Sequence, residues 1–329
     1  MLDIPGFISA VFTEKPEGIT HKILEVFHHQ AVNVPVYRDF LHYLDVTPDQ
    51  IRSVQEIPFL PISAFKTHGV LSSQMQPATL FESSGTTGSQ VSRHFVADTG
   101  IYRESLVKGF TLAYGNPDTY CILALLPSYL ERQTSSLVHM TCELMDISGH
   151  PMNGFFLDNL AELAGRMEVL RESKTPTLII GVSFALLDLA DRFPMYFPEL
   201  IVMETGGMKG RREEITRESL HEQLKRAFGV AQVHSEYGMT ELLSQAYAPS
   251  DGLFSAPPWM QVFVRDPEDP FTYLESGKTG CLNIIDLANV HSCSFIATDD
   301  LGKMHADGRF EVLGRYDHSD VRGCNLLTL

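Results

Sequence analysis

ELIVMETGG, at residues 199–207, is one of three short apolar stretches that predict buried β-strands. The other two are CILALLP at residues 121–127 and PTLIIGV at residues 176–182. Apolar runs of this length, without an alternating polar face, are typical of strands that are covered on both sides. The middle of the chain is therefore predicted to contain a buried sheet.

Helical patterns alternate with these strands. Residues 158–172 repeat apolar side chains at helical spacing, and Asp158 is the predicted N-cap. Residues 212–228 predict a second helix that ends at Gly229, because glycine adopts the left-handed conformation that closes many helices. Strands that alternate with helices favour a mostly parallel sheet, so we predict an α/β fold.

The two ends of the chain have different patterns. The first 60 residues predict helices. Near the other end, three strand candidates follow one another with turns and no intervening helix, at 281–286, 293–299 and 309–315. That succession favours a smaller antiparallel or barrel-like region. We expect a helical segment at 1–60, an α/β core at 61–250, and a β-rich region with a C-terminal tail at 251–329.

The composition excludes several classes of protein. The 329 residues are 44% hydrophobic and 20% charged, which excludes a disordered or collagen-like chain. The formal net charge of −16 disfavours binding to nucleic acid. Five cysteines, an odd number without C-x-x-C spacing, disfavour a disulfide framework or a structural zinc site. Because we find no secretory signal and no transmembrane segment, we expect a cytoplasmic protein.

The most specific local motif is a loop rich in glycine and hydroxyl groups. Residues 83–89 read SSGTTGS and contain five hydroxyls and two glycines. Glycines let the backbone approach a ligand closely, and successive N–H groups form a nest for an anion. The loop is not a Walker P-loop, because no Gly-Lys-Ser/Thr follows. Its composition alone leaves a phosphate site and a plain polar turn equally open.

Four motifs in chain order resemble those of the adenylate-forming ligases, which activate carboxylates as acyl-adenylates. SSGTTG resembles their phosphate-binding loop, and it is followed by ETGGM at 204–208, YGMTE at 237–241, and the pair TDDLG at 298–302 and GRYD at 314–317. Within this superfamily the chain is most similar to the acyl-protein synthetase family of bacterial bioluminescence. That similarity is carried by LLPSYLER at 125–132, SSL at 135–137 and SDVRGCNLL at 319–327.

The resemblance implies the fold of the large N-terminal domain of these enzymes and assigns roles to residues. ATP and Mg²⁺ are the implied cofactors. Thr240 would donate to the α-phosphate, Glu241 would hold Mg²⁺, Tyr237 would stack on adenine, and Asp300 would bind the ribose with Arg315 nearby. The remaining nucleotide contacts would come from the phosphate loop and from glycine-rich segments: Ser83, Ser84, Gly85, Thr86, Thr87, Gly88, Gly206, Gly207, Met208 and Gly238. Taken singly, residues such as Tyr237 and Asp300 also suit ordinary structural positions.

The acyl acceptor and the acyl pocket are less defined. The sequence ends 12 residues after Asp317, so the family's usual C-terminal domain and its catalytic lysine have no counterpart in it. Acyl-protein synthetases transfer the acyl group to a cysteine near the C-terminus, and Cys324 is the candidate. The final acceptor would be an acyl reductase, an acyl carrier protein or CoA. Four residues either line an apolar acyl tunnel or belong to the ordinary core: Tyr129, Leu130, Leu137 and Met140.

Three functions therefore remain. The first is activation of a fatty or aryl acid followed by transfer to a protein thiol. The second is a short acyl-CoA ligase, because phenylacetate-CoA ligase-like enzymes share the phosphate and adenine motifs. The third is a catalytically idle nucleotide-binding subunit.

Overall fold

The computed structural model describes residues 2–13, 16–83, 90–127, 134–206 and 215–316. The α-helices in these ranges are α1 (Ile4–Val11), α2 (Pro16–Asn33), α3 (Pro35–Tyr43), α4 (Ala64–Thr67), α5 (Thr99–Tyr114), α6 (Ser136–Ser148), α7 (Leu160–Glu172), α8 (Ser183–Arg192) and α9 (Arg217–Phe228). The strands are β1 (Leu60–Pro61), β2 (Thr79–Glu82), β3 (Arg93–Val96), β4 (Cys121–Leu125), β5 (Gly154–Phe156), β6 (Thr177–Val182), β7 (Ile201–Thr205), β8 (His234–Tyr237), β9 (Ala246–Ala248), β10 (Met260–Arg265), β11 (Thr279–Asp286), β12 (Phe295–Met304) and β13 (Phe310–Arg315). Short 3₁₀ helices lie at Pro48–Gln50, Val54–Glu56, Pro117–Thr119 and Leu287–Asn289.

A six-stranded sheet forms the centre of the α/β part, in the order β5-β4-β6-β7-β8-β9. Its strands are parallel except for β9, which runs antiparallel to β8. Every residue of β4 and β6 is buried, as expected for strands covered by helices on both faces. The three predicted buried strands correspond to β4, β6 and β7, and the predicted α/β fold is confirmed.

Two helix starts differ from the sequence prediction. Helix α7 begins at Leu160 with Asn159 at the N-cap, one residue after the predicted Asp158, because the Asp158 carbonyl accepts the Leu160 N–H within a preceding turn. Helix α9 begins at Arg217, and residues 215–216 directly before it are not helical, so the predicted continuous helix over 212–228 is wrong at its start. The Thr216 side chain accepts the Ser219 N–H at 3.2 Å, which caps the first turn there.

The end of α9 is as predicted. Gly229 has a φ of 68° and its N–H donates to the Lys225 carbonyl, so the helix closes in the left-handed conformation that glycine adopts without strain.

A five-stranded sheet carries the second half of the predicted motifs. Strand β11 pairs with β10 on one side and with β12 on the other, and β13 pairs with the second half of β12. All three pairs are antiparallel. The predicted antiparallel region is therefore confirmed. The short strand β1 joins the same sheet in parallel with β12. The division of the chain at residues 60 and 250 stays a prediction.

The N-terminal helices pack on the start of β12. The ring of Tyr37 stacks on the Phe295 ring with centroids 5.8 Å apart, and Phe27 packs edge-on against the Phe295 ring at 5.9 Å. The fully buried amide of Gln30 donates to the Asn289 carbonyl at 2.9 Å and accepts the Ser294 N–H at 2.9 Å. Buried polar groups need such partners, so these bonds fix how the helices sit on the sheet. Among the described helices, none is both long and apolar enough to span a bilayer.

Candidate active site

Tyr237, Asp300 and Arg315 meet where the two sheets approach each other. Tyr237 ends β8, and its hydroxyl donates to Asp300 Oδ2 at 2.8 Å. Asp300 and Arg315 are cross-strand partners in β12 and β13, and Arg315 Nε lies 3.5 Å from Asp300 Oδ1. Burial raises the pKa of Asp300, although the Tyr237 hydrogen bond and the Arg315 charge partly oppose that shift. The structure thus brings together three residues that the sequence assigned to the nucleoside.

Local backbone geometry aims Asp300 at this junction. The Thr298 hydroxyl accepts the Asp300 N–H at 3.1 Å and donates to the Leu282 carbonyl at 2.8 Å. The register of β12 and β13 shifts between Leu301 and Gly302. A Cβ on Gly302 would lie 2.5 Å from the Glu311 carbonyl oxygen, so this close approach requires glycine. The threonine and the glycine of TDDLG therefore each have a structural role: Thr298 positions Asp300, and Gly302 allows β13 to approach closely.

Hydrogen bonds join the first residue of the predicted phosphate loop to Ser92, which lies just beyond the loop. Strands β2 and β3 form an antiparallel pair, and Ser83 follows β2 directly. The Ser83 N–H donates to the Ser92 carbonyl at 3.0 Å, and the Ser92 N–H donates to Ser83 Oγ at 2.9 Å. The other predicted loop residues lie outside the described residues: Ser84, Gly85, Thr86, Thr87 and Gly88.

His94 connects this hairpin to the YGMTE segment, and sequence reasoning missed it. It is fully buried in β3, with Nδ1 2.9 Å from the Thr240 carbonyl oxygen and Nε2 3.0 Å from Ser292 Oγ. Burial lowers its pKa to about 4, so the ring is neutral near pH 7. A carbonyl only accepts, so Nδ1 carries the proton and Nε2 accepts from the serine hydroxyl. His94 therefore fixes the position of Thr240 relative to the β2–β3 hairpin.

Glu241 follows Thr240 and is buried, with 4% of its surface exposed. Asn289 Nδ2 donates to the Glu241 backbone carbonyl at 2.8 Å and so holds this turn. Burial raises the pKa of the Glu241 carboxyl, and the nearby Ser92 hydroxyl and Arg315 charge lower it in part. A cation beside this carboxylate would favour its charged form.

The described residues contain no group of three or more histidine, cysteine or acidic side chains that would hold a metal alone. Magnesium usually takes one or two carboxylates and completes its shell with water and substrate phosphates. The buried Glu241 carboxylate would suit an ion of that kind.

The strand end at Glu204 and Gly206 borders the site. Gly206 has a φ of 69°, and its carbonyl accepts from Ser183 Oγ at 2.9 Å. Burial would raise the pKa of Glu204, but His221 and Arg217 on α9 lower it below its ordinary value. Glu204 is thus an ionised carboxylate that ties α9 to β7. Gly207 and Met208, the other residues predicted here, lie outside the described ranges, as does Cys324.

Gly238 follows Tyr237 and lies beside the carboxyl group of Glu236. A Cβ at Gly238 would lie 2.5 Å from Glu236 Oε1, too close for any side chain without rearrangement. The Thr205 hydroxyl donates to Glu236 Oε2 at 2.6 Å, and burial raises the pKa of Glu236 to about 7. Sequence reasoning missed Glu236, although it directly precedes Tyr237.

The family model described as "Acyl-protein synthetase, LuxE" matches residues 166–328. This match confirms the resemblance to acyl-protein synthetases that the motifs predicted. It contains every predicted site residue from Gly206 to Cys324, and the phosphate loop precedes it. No curated protein matches the chain.

Solved structures of adenylate-forming ligases confirm the fold. ATP-bound MatB from Rhodopseudomonas palustris superposes with a TM-score of 0.56 at 19% identity, over 75% of this chain and 49% of MatB. 2-Hydroxyisobutyryl-CoA ligase, with 2-HIB-AMP and CoA, gives a TM-score of 0.69 at 14% identity, over 92% of this chain and 68% of the ligase. A luciferase-like enzyme from the mealworm Zophobas morio gives 0.53 at 15% identity, over 74% and 58% of the two chains. The chain thus matches about half the length of MatB.

Proposed function

We propose that this protein is an ATP-dependent acid ligase that converts a carboxylic acid to an acyl-adenylate. One observation carries the proposal: three groups of residues lie together at the junction between the sheets. They are the hydrogen-bonded pair Tyr237 and Asp300, the turn at Thr240 and Glu241, and the hydrogen-bonded pair Ser83 and Ser92 beside the predicted phosphate loop. The acyl-protein synthetase match and the ATP-bound ligase neighbour support the same activity.

The proposed reaction is a displacement at phosphorus. A carboxylate oxygen of the acid attacks the α-phosphorus of ATP, the bond to the pyrophosphate oxygen breaks, and acyl-AMP and pyrophosphate are released. Such a reaction needs positioning and charge stabilisation more than covalent help from the protein. Thr240 would donate to the α-phosphate, and residues 83–88 would hold the β- and γ-phosphates.

The nucleoside would lie against Tyr237 and Asp300. Phe254 and Phe310 meet the Tyr237 ring edge-on at 5.9 and 5.8 Å, which fixes the orientation of that ring for stacking on adenine. The Asp300 carboxylate would accept from the ribose hydroxyls, with Arg315 as a further donor. The remaining contacts on the adenine side would come from Gly206, Gly207, Met208 and Gly238. Glu241 would hold Mg²⁺, which supplies positive charge to the phosphates when it is bound.

Transfer to a thiol is the finer part of the proposal. The thiolate of Cys324 would attack the acyl carbon, and the carbon–oxygen bond to AMP would break to leave a thioester and AMP. Support comes from the family match, which extends to residue 328. The acyl group would then pass to a partner such as an acyl reductase or an acyl carrier protein.

A short acyl-CoA ligase is the second candidate. The solved 2-hydroxyisobutyryl-CoA ligase, which has the highest TM-score of the three neighbours compared, was crystallised with both an acyl-AMP and CoA. CoA would in that case replace Cys324 as the nucleophile toward the same acyl-adenylate. The presence of both Thr240 and Glu241 argues against an idle nucleotide-binding subunit, since these residues are proposed to act on the α-phosphate and on Mg²⁺ and not only on the nucleoside.

Acid-dependent exchange of labelled pyrophosphate into ATP tests the adenylation step. We expect exchange with at least one acid from a panel of fatty and aryl acids, with and without CoA. Intact-protein mass spectrometry then tests the acceptor: a hydroxylamine-labile acyl adduct should form on the wild type and be absent from Cys324→Ser, which should retain exchange. Exchange that no acid elicits contradicts adenylation, and an adduct that persists in Cys324→Ser contradicts only the thiol assignment.

A further inference from the structure

Arg217, the first residue of α9, contacts three separate parts of the proposed nucleotide site. Its side chain is partly buried, with 34% of its surface exposed. A positive charge at the N-terminus of a helix opposes the helix dipole, so α9 itself gains no stability from this charge. The contacts that the side chain makes outside its own helix therefore account for an arginine at this position.

The first contact is with the end of β7. Arg217 Nε lies 3.4 Å from Glu204 Oε1, and only 6% of the Glu204 side chain is exposed. Ser183 Oγ lies 3.3 Å from the other oxygen of Glu204 and donates to the Gly206 carbonyl at 2.9 Å. Arg217 is thus joined to the strand end that begins the ETGGM segment.

The second contact is with β13, in the other sheet. Arg217 Nη1 donates to the Val312 carbonyl at 2.8 Å. Val312 lies three positions before Arg315, which is the cross-strand partner of Asp300. The planar guanidinium holds its donors in a rigid fork, so these two contacts fix β13 relative to β7.

The third contact is with the rings that support Tyr237. Arg217 Cζ lies 5.5 Å from the centroid of the Phe254 ring, within the range of a cation–π interaction. Phe254 stacks on Phe310 at 5.5 Å, and both rings pack edge-on against Tyr237. Gly252, with a φ of 65°, allows the close approach, because a Cβ there would lie 3.0 Å from Arg217 Cδ.

We propose that Arg217 is a positioning residue for the ribose of the nucleotide. By joining β7 to β13, it keeps Asp300 and Arg315 at the spacing from Tyr237 that a nucleoside requires. This inference rests on the proposed adenylation function. Thr240 is held separately, through the bond between its carbonyl and His94, so loss of Arg217 should affect the nucleoside more than the phosphates or the acid.

Acid-dependent pyrophosphate exchange with two nucleotides tests the proposal. The nucleotides are ATP and 2′,3′-dideoxy-ATP, which lacks both hydroxyls that Asp300 is proposed to bind. The wild type should prefer ATP in kcat/KM by about tenfold or more, because a site built to bind hydroxyls rejects the analogue that lacks them.

Two variants of Arg217 should lower this preference to different extents. Arg217→Met removes the guanidinium, so the ratio of ATP to dideoxy-ATP should fall at least about threefold, with a raised KM for ATP and little change in KM for the acid. Arg217→Lys keeps the charge, but a single ammonium group does not reproduce the fork. Its ratio should lie between those of Arg217→Met and the wild type.

Arg166→Met is the matched control. Arg166 makes the same three kinds of contact beside β5, the edge strand farthest from β9. Its Nη1 donates to the Met152 carbonyl at 3.2 Å, its Nη2 lies 2.8 Å from Glu162 Oε1, and its Cζ lies 5.0 Å from the Phe156 centroid. Denaturant unfolding should show a similar loss of stability in Arg166→Met and Arg217→Met, whereas Arg166→Met should keep the wild-type nucleotide ratio.

The outcomes separate this inference from the function on which it rests. A wild-type ratio in Arg217→Met overturns the positioning role, and so does an equal fall in Arg166→Met, which would reflect stability alone. If Arg217→Met does not fold, a wild-type ratio in Arg217→Lys overturns it. Equal use of both nucleotides by the wild type overturns this inference and leaves adenylation standing. Exchange with no acid overturns the adenylation proposal and this inference with it.

Discussion

The Tyr237 hydroxyl donates to Asp300 Oδ2 over 2.8 Å, and this bond joins the end of the six-stranded sheet to the five-stranded sheet. Burial and the neighbouring Asp300 charge raise the pKa of Tyr237 well above 10, so the hydroxyl keeps its proton at any physiological pH. The bond orients one carboxylate oxygen and the other lies near Arg315. Nucleotide binding in our account depends on this pair.

Replacing Asp300 with Ala should weaken ATP binding. Loss of charged hydrogen bonds to the ribose corresponds to roughly 1.5–3 kcal/mol, or about ten- to a hundredfold in Kd, measured by calorimetry. Tyr237→Phe is the matched variant, because it removes the partner of Asp300 but keeps a ring for adenine to stack on. It should weaken binding less than Asp300→Ala. Undiminished affinity of Asp300→Ala would remove the ribose assignment.

Glu241→Gln keeps the shape of the side chain and removes the charge proposed to hold Mg²⁺. Exchange at limiting Mg²⁺ should fall, and the apparent Mg²⁺ requirement should rise, while nucleotide affinity measured without metal stays similar. The titration of exchange rate against Mg²⁺ concentration measures this directly. An unchanged Mg²⁺ titration would show that Glu241 is not the ligand.

His94 is predicted to act by positioning Thr240. His94→Phe removes both hydrogen bonds of the ring, whereas the side-chain N–H of His94→Asn replaces the donor to the Thr240 carbonyl. We expect His94→Phe to lower kcat of exchange by roughly ten- to a hundredfold with a smaller change in KM for ATP, because small displacements of positioning groups have large effects on rate. His94→Asn should recover part of kcat. Equal kcat for both variants would assign His94 to stability alone.

Glu236 should make stability depend on pH. Its pKa is about 7 in the folded protein and near 4.5 when exposed, so the folded state holds the proton more tightly and the wild type loses stability as pH rises from 4.5 to 7. Glu204 on β7 and the tyrosines at 102, 114 and 247 face this carboxyl.

Glu236→Gln should remove the loss of stability between pH 4.5 and 7, because the glutamine amide does not titrate in this range. Denaturant unfolding should show little difference from the wild type near pH 4.5, and a gain of up to about 3 kcal/mol at pH 8. His94 and Asp286 also titrate in the acidic range but are common to both proteins, so they cancel in the difference. Glu222→Gln is the control and should show no such trend. A difference that does not change between pH 4.5 and 8 contradicts a raised pKa for Glu236.

The elements set by local chemistry were predictable from the sequence. Uninterrupted apolar runs identified β4, β6 and β7, and Gly229 identified the end of α9, because burial on both faces and a left-handed closing residue leave direct signatures. The start of α9 was misplaced because the charged residues before Thr216 have good helix propensity, so the sequence pattern ran past the Thr216 N-cap that begins the helix.

His94 and Glu236, the site residues that the sequence did not reveal, depend on contacts between residues far apart in the chain. His94 and Thr240 are 146 positions apart, and the pairing of an isolated histidine with a backbone carbonyl leaves no periodic pattern. Glu236 is an ordinary polar residue in the sequence. Only the pairing of β7, β8 and β9 shows that it is buried, bonded to Thr205 and opposite Tyr247.

The most direct test of the central claim follows the oxygen atoms of the acid. An accepted acid, labelled with ¹⁸O in both carboxylate oxygens, is incubated with ATP, Mg²⁺ and the wild-type protein, with hydroxylamine as the final acyl acceptor. If the carboxylate attacks the α-phosphorus and the acyl carbon–oxygen bond breaks in the second step, each AMP produced carries one ¹⁸O atom, as mass spectrometry would detect. Formation of ADP, or of AMP without ¹⁸O, would contradict the acyl-adenylate mechanism.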